Sequence, residues 1–338
     1  MKLAKVPVSE ASSTIPRLMR RDLVNRNAKI SKGEGCRLVP IADGKEDAIR
    51  ELGLEITEGP AHSRDRTPPQ ERISADLSDL PKDVLDELPM RWEYVGNIII
   101  IRMEASAEPY KDRIGRVYAD ELDASTVCVD RKGVSGEFRR PSMEIIYGTE
   151  TESVRLENGI LYDFDVTKVM FASGNVDERE RMKMLDCTGE TVVDMFAGIG
   201  YFTLPIAKFA NPDRIIACEK NPDSYEFLVK NIELNDVGDK VMPVLGDNRD
   251  LRIEKASVDR ILMGYVQRTQ DFIPKALEMI RPGGMIHYHD TFYINEYKDR
   301  IKEIFDSHRP DGYRIEGIRE VKSFAPSVSH YVADIRIL

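Results

Sequence analysis

The sequence predicts an α/β protein whose C-terminal part is a doubly wound, Rossmann-like sheet. The strongest evidence is the segment 192–203, where two valines and an acid lead into a turn with two glycines, followed by the start of a helix. Further β-rich segments, at 214–219 and 241–248, follow at the spacing of strand–helix–strand units. In such sheets, nucleotide-like ligands bind at the carboxyl ends of the strands.

The glycine turn at the end of the first strand narrows the class of ligand. Its sequence is Ala-Gly-Ile-Gly, with Gly198 and Gly200 at the positions where a Cβ would block a tight turn and a close ligand. It does not match the Gly-x-Gly-x-x-Gly fingerprint of dinucleotide-binding folds, and no Lys-Ser/Thr pair follows it as in a phosphate-binding P-loop. Both of those classes are therefore poor fits.

Polar side chains stand at the ends of the next two strands. Glu219 ends the second strand, where a carboxylate can accept both hydroxyls of a ribose. Asp247 and Asn248 end the third and together offer an acceptor and an amide for the edge of an adenine. With Asp194 and Phe196 at the end of the first strand, this pattern predicts a site for S-adenosylmethionine. The alternative is an ordinary α/β sheet with surface acids.

The remaining strands are expected to carry the acceptor side of the site. The fourth strand, 257–266, ends in Gly264-Tyr265, where this fold class places the target beside the sulfonium. In the fifth strand, 285–291, alternation directs His287 and His289 to one side and Tyr288 to the other. A packed or helix-capping histidine is the alternative to a chemical role for either. Helices are predicted at 272–280 and 297–308, and segments 312–321 and 330–337 close the sheet as a hairpin.

Composition sets limits on the class of protein. The 338 residues are 41% hydrophobic and 32% charged, a globular balance long enough for two domains. The longest apolar stretch, 95–101, is too short to span a bilayer, and no signal core begins the chain, so we expect a cytoplasmic protein without a membrane partner. The four cysteines are far apart, which predicts reduced thiols and no metal. Because the net charge is −10, nucleic acid would have to meet a local basic patch.

Three domains are expected. Residues 1–75 form a basic N-terminal region of uncertain fold, residues 76–165 a small α+β domain associated with RNA, and residues 166–338 the catalytic domain. Residues 1–36 hold eight Lys/Arg against three acids, which fits a surface for a phosphate backbone or a solvated helix face equally well. A strand and an amphipathic helix are predicted within 38–54, and a proline-bearing linker over 62–71.

The middle domain is predicted to contain a helix at 83–89, a buried strand at 94–101, a helix at 110–122 and short strands at 126–131, 136–140 and 144–147. A turn is expected at Lys132-Gly133, and Asn158-Gly159 is a strong hairpin turn. The basic residues Arg131, Lys132, Arg139 and Arg140 flank one hairpin, but nearby acids roughly cancel them. A solvated edge is the favoured interpretation of that cluster.

The segment joining the two C-terminal domains breaks at Ala172-Ser173-Gly174-Asn175 and opens a charged helix. We expect this break to lie across the mouth of the cofactor site. Arg179 would then face the carboxylate of a bound methionine moiety, with a solvated helix position as the alternative. For Arg181 the favoured interpretation is an i,i+4 pair with Asp177.

Together these motifs resemble the tRNA guanine-37 N1-methyltransferases and their relatives, the wyosine-pathway 3-amino-3-carboxypropyltransferases. The resemblance rests on Glu157-Asn158-Gly159, the 170–175 break, the 194–202 turn, the 218–222 strand end and the 246–249 strand end, and covers about residues 90–338. It implies the class I S-adenosylmethionine-dependent methyltransferase fold with a smaller N-terminal α+β domain.

Four differences favour the aminocarboxypropyl branch. The N1-methyltransferases typically carry Ser-Pro-Arg in the break and Asn-Leu-Pro or Asn-Pro-Pro at the fourth strand end, where this chain has Ala172-Ser173-Gly174-Asn175 and Met263-Gly264-Tyr265-Val266. Tyr201 stands where methyltransferases tend to have Gly-Pro-Phe, and His287-Tyr288-His289 also looks like the aminocarboxypropyl branch.

By resemblance, the substrate is the anticodon region of tRNA(Phe) bearing 4-demethylwyosine, and the reaction moves the aminocarboxypropyl group from S-adenosylmethionine to C7 of that base. Glu219 would hold the ribose, Asp247 and Asn248 the adenine, and Ala172 and Arg179 the methionine end, although the family often has serine at Ala172. Tyr265 and His289 are candidates to position the acceptor or take its proton. An N1-methyltransferase, or a non-catalytic RNA-binding protein on the same scaffold, are the alternatives.

Overall fold

The computed structural model describes residues 1–7, 10–60, 67–266 and 268–338. The chain forms two compact units, Met1–Arg72 and Ile73–Leu338, while the three-part division at residues 75 and 165 stays a prediction. Half of the linker predicted over 62–71 lies outside the described residues, and a helix (Pro69–Asp76) begins in the other half, where a linker was expected. Within the described ranges, no helix is both long enough and apolar enough to pass through a membrane.

The first unit is an antiparallel sheet with two helices. Its strands are β1 (Lys2–Pro7), β2 (Ser31–Gly33), β3 (Cys36–Pro40) and β4 (Glu55–Glu58), in the order β2-β3-β1-β4, and its helices are α1 (Ala11–Arg20) and α2 (Glu46–Glu51). Ala4, Val6, Leu18, Val39 and Ile49 form its core. The predicted strand and helix within 38–54 are confirmed by β3 and α2, whereas β1 and α1 were not predicted.

The second unit begins with a four-stranded mixed sheet. Its strands β5 (Glu93–Val95), β6 (Ile98–Ile101), β7 (Thr126–Ser135) and β8 (Arg140–Tyr147) pair in that order, and its helices are α3 (Pro69–Asp76), α4 (Lys82–Asp86) and α5 (Lys111–Leu122). Helix α5 makes the crossover between the parallel strands β6 and β7. Its apolar face, with Ile114 and Tyr118 fully buried, packs on that sheet.

The turn predicted at Lys132-Gly133 is wrong. Strand β7 continues through these residues, and the register shifts between Asp130 and Val134, which marks a bulge. The side chain of Asp130 accepts a hydrogen bond from the Gly133 amide at 2.7 Å, and Gly133 takes a positive φ of 67°. The hairpin instead turns at 136–139, so the separate strand predicted over 136–140 does not exist.

A second hairpin leads into the large sheet. Strands β9 (Glu152–Glu157) and β10 (Ile160–Asp165) are joined by Asn158-Gly159, both with positive φ, which confirms the predicted turn. The chain turns at 166–168, where an extended segment was expected, and a 3-10 helix (Ser173–Asn175) then opens helix α6 (Val176–Lys183). The predicted break and charged helix are thus confirmed.

The large sheet has seven strands in the order β13-β12-β11-β14-β15-β17-β16. They are β11 (Thr191–Asp194), β12 (Arg214–Glu219), β13 (Val241–Leu245), β14 (Val258–Met263), β15 (Ile280–Tyr293), β16 (Tyr313–Ala325) and β17 (Val328–Ile337). The first five in that order are parallel, and β17 is antiparallel to both of its neighbours. The predicted doubly wound sheet and its closing hairpin are confirmed.

Helices α7 (Thr203–Phe209), α8 (Pro222–Leu234), α9 (Ile273–Met279) and α10 (Tyr297–His308) connect these strands. Asn221 starts α8, where its side chain accepts from the Asp223 amide at 3.1 Å and Pro222 occupies the first turn. Strand β15 is longer than predicted because it already pairs with β14 at Ile280, before an irregularity in register. Successive strands are added on one side of β11 up to β13 and on its other side from β14 onward. A ligand is expected where this order reverses, at the carboxyl ends of β11 and β14.

Candidate active site

A cavity of about 230 Å³ opens at the carboxyl ends of β13, β12, β11 and β14. The 169–175 break, the turn between β7 and β8, and the β16–β17 hairpin complete its wall. Its lining residues are Glu137, Phe138, Arg139, Val169, Met170, Ala172, Asn175, Met195, Phe196, Gly198, Tyr201, Phe202, Glu219, Lys220, Ser224, Gly246, Asp247, Asn248, Gly264, Tyr265, Val266, Phe272, Lys322, Phe324 and His330. Eight of the twelve predicted site residues are in this set: Ala172, Phe196, Gly198, Glu219, Asp247, Asn248, Gly264 and Tyr265.

The two glycines of the turn do different things. Gly198 lines the cavity with a φ of 57°, and a Cβ there would lie 2.6 Å from Cε2 of Tyr201. Gly200 has a φ of 100° and faces Leu204, away from the cavity. The first glycine therefore shapes the ligand surface, whereas the second allows the turn to enter α7.

Two backbone amides hold the Glu219 carboxylate on the cavity wall. Its Oε2 accepts from the Gly198 amide and its Oε1 from the Asn221 amide, each at 2.7 Å. Burial raises the pKa of this carboxyl, and these backbone donors oppose the rise. Each carboxylate oxygen keeps a further lone-pair direction, so the group can still accept the two hydroxyls of a ribose.

Asp194 lies behind the turn and does not line the cavity. It is fully buried, its Oδ2 accepts from Thr203 Oγ1 at 2.8 Å, and its Oδ1 accepts from the Phe196 amide at 3.2 Å. Burial raises its pKa to about 6. The predicted contribution of Asp194 to ligand binding would therefore act through the shape of the turn.

The adenine side of the cavity combines aromatic rings with two strand-end polar groups. The rings of Phe196 and Tyr265 stack with centroids 5.1 Å apart, and Phe272 meets Phe196 edge-on. Asn248 donates Nδ2 to the Met195 carbonyl at 2.9 Å, and its buried Oδ1 has no partner. That oxygen is placed to accept from an exocyclic amine.

Asp247 is less available than the sequence suggested. Arg249 donates to both of its carboxylate oxygens, at 2.8 and 2.6 Å, and Lys220 lies 3.1 Å away. These cations hold the pKa of Asp247 well below its usual range. An adenine bound by Asp247, as predicted, would therefore compete with Arg249 for the same carboxylate oxygens.

Arg179 does not line the cavity and is not a solvated helix position. Its side chain is 1% exposed, Nε pairs with Glu157 at 2.5 Å, and Nη1 donates to the Ala172 carbonyl at 2.9 Å. Only Nη2 lacks a partner. Because Glu157 already neutralises this guanidinium, the methionine-carboxylate contact predicted for Arg179 stays a prediction. The pair predicted between Arg181 and Asp177 is wrong, since Arg181 bonds Glu178 and Asp334.

The histidines of β15 are buried behind the cavity. His287 Nδ1 lies 2.6 Å from Asp334, and His289 stacks on Phe202 with its Nδ1 3.1 Å from Nε2 of His330. Only His330 lines the cavity. The predicted candidate His289 would therefore reach a ligand through His330. Tyr288 points to the opposite side and bonds Asp290, as the alternation predicted.

Sequence reasoning missed several residues of the cavity wall, among them Arg139, Asn175, Lys322 and His330. Arg139 was assigned to a solvated edge, but the position of the 136–139 turn brings it into the cavity. Lys322 and His330 belong to the β16–β17 hairpin, which no motif linked to the site. Asn175 belongs to the 172–175 segment, which was expected to lie across the mouth of the cofactor site. That position was the one signal in the sequence that could have assigned Asn175 to the cavity wall.

A cavity at the switch point of the sheet, with Glu219 and Asn248 on its wall, is the arrangement expected of an S-adenosylmethionine-dependent transferase. Comparison with known proteins agrees. The TRM5/TYW2 methyltransferase domain model matches residues 153–315, and the TYW2 N-terminal domain model matches residues 74–151. The chain belongs to the TRM5/TYW2 family, as its motifs predicted. Among the described residues, no cluster of His, Cys, Asp or Glu is arranged to hold a metal ion.

Three relatives illustrate the match. The chain is 44% identical over 274 residues to the tRNA(Phe) (4-demethylwyosine(37)-C(7)) aminocarboxypropyltransferase of Pyrococcus horikoshii, covering 79% of this chain and 96% of that protein. The crystal structure of P. horikoshii TYW2 in complex with MeSAdo gives a TM-score of 0.72 at 41% identity, covering 80% of this chain and 99% of that one. The tRNA (guanine(37)-N(1))-methyltransferase Trm5b of Pyrococcus abyssi is 30% identical over 98% of both chains.

Proposed function

We propose that this protein transfers the 3-amino-3-carboxypropyl group of S-adenosylmethionine to C7 of 4-demethylwyosine at position 37 of tRNA(Phe), leaving methylthioadenosine. The observation that carries the proposal is the 44% identity, over 96% of its length, to a protein with that activity in its name. The motif differences at 172–175 and 263–266 support the same branch. MeSAdo in the related crystal structure is what remains of the donor after this transfer.

The protein acts on tRNA, and we place its contact in the anticodon region and its reaction in the cytoplasm. The modified base named for the P. horikoshii relative lies next to the anticodon. Four free cysteines, three of them buried, fit a compartment that keeps thiols reduced. The three-domain division, with residues 76–165 associated with RNA, belongs to this proposal.

The proposed reaction is a displacement at carbon. C7 of the base supplies an electron pair to the γ-carbon of the methionine arm, the carbon–sulfur bond breaks with its electrons going to sulfur, and C7 then loses its proton. A sulfonium has three activated carbons, and the one held in line with the base reacts. Glu219 fixes the ribose, and Asn248 the adenine. Tyr265 and His330 lie on the wall where the proton can be taken, and His289 lies behind His330.

Methyl transfer to guanine N1 is the second candidate, because the Trm5b relative matches 98% of this chain, including the first unit. Two labelled donors separate the reactions. With tRNA carrying 4-demethylwyosine, carboxyl-labelled donor should mark the RNA and methylthioadenosine should accumulate. Label entering from the methyl group, together with adenosylhomocysteine, would establish the other reaction. Unmodified tRNA and the Gly198→Val variant serve as controls.

A further inference from the structure

Two cations face the cavity without a carboxylate to balance them. Among the described residues, neither Arg139 nor Lys322 forms an ion pair, and the only side-chain bond of Arg139 runs from Nε to Met170 Sδ at 3.4 Å. The other lysine of the wall, Lys220, is paired with both Glu137 and Asp247. This part of the wall therefore carries an unmatched positive charge.

The side chain of Lys322 packs next to Gly174, in the 172–175 segment. A Cβ added to Gly174 would lie 3.0 Å from Cδ and 3.4 Å from Nζ of Lys322, so the glycine leaves room for the lysine stem. The side chain is half-buried, and burial, with Arg139 and Arg179 nearby, lowers the pKa of its ammonium group. A partly desolvated ammonium group beside other cations gains most from an anionic partner.

Asn175, which follows Gly174 in the chain, offers a hydrogen-bond acceptor beside the Lys322 donor. Asn175 lines the cavity, and its Oδ1 is buried without a hydrogen-bond partner. A buried carbonyl oxygen without a donor is costly unless a ligand supplies one. Its backbone amide donates to the Ala172 carbonyl at 3.1 Å, which holds the turn in shape.

We propose that Lys322 binds the α-carboxylate of S-adenosylmethionine and Asn175 Oδ1 binds its α-ammonium group. Lys322 packs next to Gly174, and Asn175 follows that glycine in the chain. A cationic donor and a neutral acceptor oxygen together suit the carboxylate and the ammonium group of an amino-acid end. Lys322 is favoured over Arg179 for the carboxylate because Lys322 lines the cavity, whereas Arg179 does not and is already paired with Glu157 at 2.5 Å. This assignment deepens the proposed function and rests on it for the identity of the transferred group.

The assignment has a chemical consequence for the arm that moves. An amino-acid end held at the Gly174 turn while Glu219 holds the ribose fixes the methionine arm at both ends. The three carbons on sulfur are then no longer equivalent, because only one can point at the base. Lys322 and Asn175 are thus specificity-determining residues for which carbon is attacked.

Calorimetry without tRNA tests the assignment with three donor-like probes: S-adenosylmethionine, its decarboxylated form, which keeps the amine, and methylthioadenosine, which lacks the arm. Lys322→Met should lower the affinity for S-adenosylmethionine by about tenfold or more and leave the affinities for the other two probes unchanged. Asn175→Ala should weaken both amine-bearing probes and spare methylthioadenosine. Lys322→Arg should restore most of the affinity, and Lys255→Met, at an 81% exposed position, should change nothing.

Several outcomes would overturn the assignment. Lys322→Met binding all three probes like the wild type, or losing all three equally, would remove the carboxylate role. Unchanged donor affinity with weakened tRNA affinity would assign Lys322 to an RNA phosphate. The proposed function is tested separately, by the labelled donors. If the wild type transferred the methyl label to tRNA, the proposed function would be wrong, but the donor affinities predicted here would not change.

Discussion

Nδ1 of His289 lies 3.1 Å from Nε2 of His330, and only the second of these rings lines the cavity. Burial lowers the pKa of His330 to about 4 and that of His289 well below its ordinary value, with each ring also near other basic groups. Both rings are therefore neutral at physiological pH. The Glu178 carboxylate lies 3.6 Å from Nε2 of His289, on the inner ring of the pair. A neutral ring on the wall, with a second ring and this carboxylate behind it, can accept a proton.

This pair leads to a prediction for His330→Gln. The transfer rate should fall about tenfold or more, because the pocket-facing ring is lost, while methylthioadenosine affinity is retained. Since the wild-type ring is neutral above about pH 4, kcat should show no inflection from it between about pH 5.5 and 7.5. Single-turnover assays measure the rate, with the exposed His308→Gln as control. An unchanged rate would exclude His330 from the proton path.

Removing the carboxylate of Glu219 should weaken the binding of every adenosine-containing probe. Glu219→Ala loses the ribose acceptor and leaves the Gly198 and Asn221 amides without their partner. We expect affinity for S-adenosylmethionine and methylthioadenosine to fall at least about tenfold. Calorimetry measures this, and Glu226→Ala on the exposed face of α8 is the matched control. Equal affinities for wild type and Glu219→Ala would show that the ribose lies elsewhere.

Gly198→Val should abolish donor binding while the chain stays folded. The new side chain would be forced into a left-handed backbone conformation and into the Tyr201 ring. Gly189→Val is the control, because Gly189 has a similar φ of 73° but nothing within 4 Å of its Cβ position. Thermal melts with and without donor should show destabilisation in both variants and a donor-induced shift only in Gly189→Val. A donor-induced shift in Gly198→Val would contradict the cavity assignment.

The raised pKa of Asp194 predicts a pH-dependent stability. Between its unfolded value of 3.8 and about 6, the folded state binds the extra proton. Wild-type stability should therefore fall, relative to Asp194→Asn, by about 1–3 kcal/mol as the pH rises through this window. Urea unfolding of both proteins at pH 4 and pH 7.5 measures the change. A constant difference would mean that Asp194 is not titrating there.

Asp334 should affect the pH dependence of stability in the opposite direction to Asp194. His287, Arg181 and Arg319 hold the pKa of Asp334 below its usual value. The stabilisation it supplies is complete above the unfolded value of 3.8 and is lost as the pH falls below it. Asp334→Asn should thus be less stable than wild type at pH 7.5, and the gap should narrow only below about pH 4.

A fragment of residues 67–338 should fold and bind donor with unchanged affinity. It retains the whole unit Ile73–Leu338 and all cavity-lining residues, and the P. horikoshii relative corresponds to 79% of this chain. If the basic residues within 1–36 meet RNA, the full chain should bind tRNA with a steeper salt dependence than the fragment. Equal slopes would favour the solvated-face interpretation, and loss of donor binding would contradict the division.

Prediction from sequence succeeded where local chemistry determines position. A glycine turn after β11, Glu219 after β12 and Asn248 after β13 are each fixed by their own strand, and parallel strands bring their ends together. It failed where the position depends on distant pairing. The pocket role of Lys322 depends on how β16 packs against the Gly174 turn, and that of Arg139 depends on a bulge that moves the hairpin tip.

The burial of Arg179 could not be predicted from the sequence either, because it also depends on a residue distant in the chain. A charged helix segment beside the cofactor site suggested either a ligand contact or a solvated position. The partner that decides its state, Glu157, lies in a different hairpin, and nothing in the spacing indicates that pair. The fold was therefore more predictable than the charge pairs that set the character of the cavity.

Strand β17 lies between β15 and β16, so it enters the sheet between two strands that both precede it in the chain. During translation, a chain that has not yet reached residue 328 has β15 without its antiparallel neighbour and lacks His330 from the cavity. Such a chain would already contain the strand ends that carry Gly198, Glu219 and Asn248, while its cavity wall would lack Lys322's partner strand and His330. The cavity wall is therefore completed only when β17 pairs with β15 and β16.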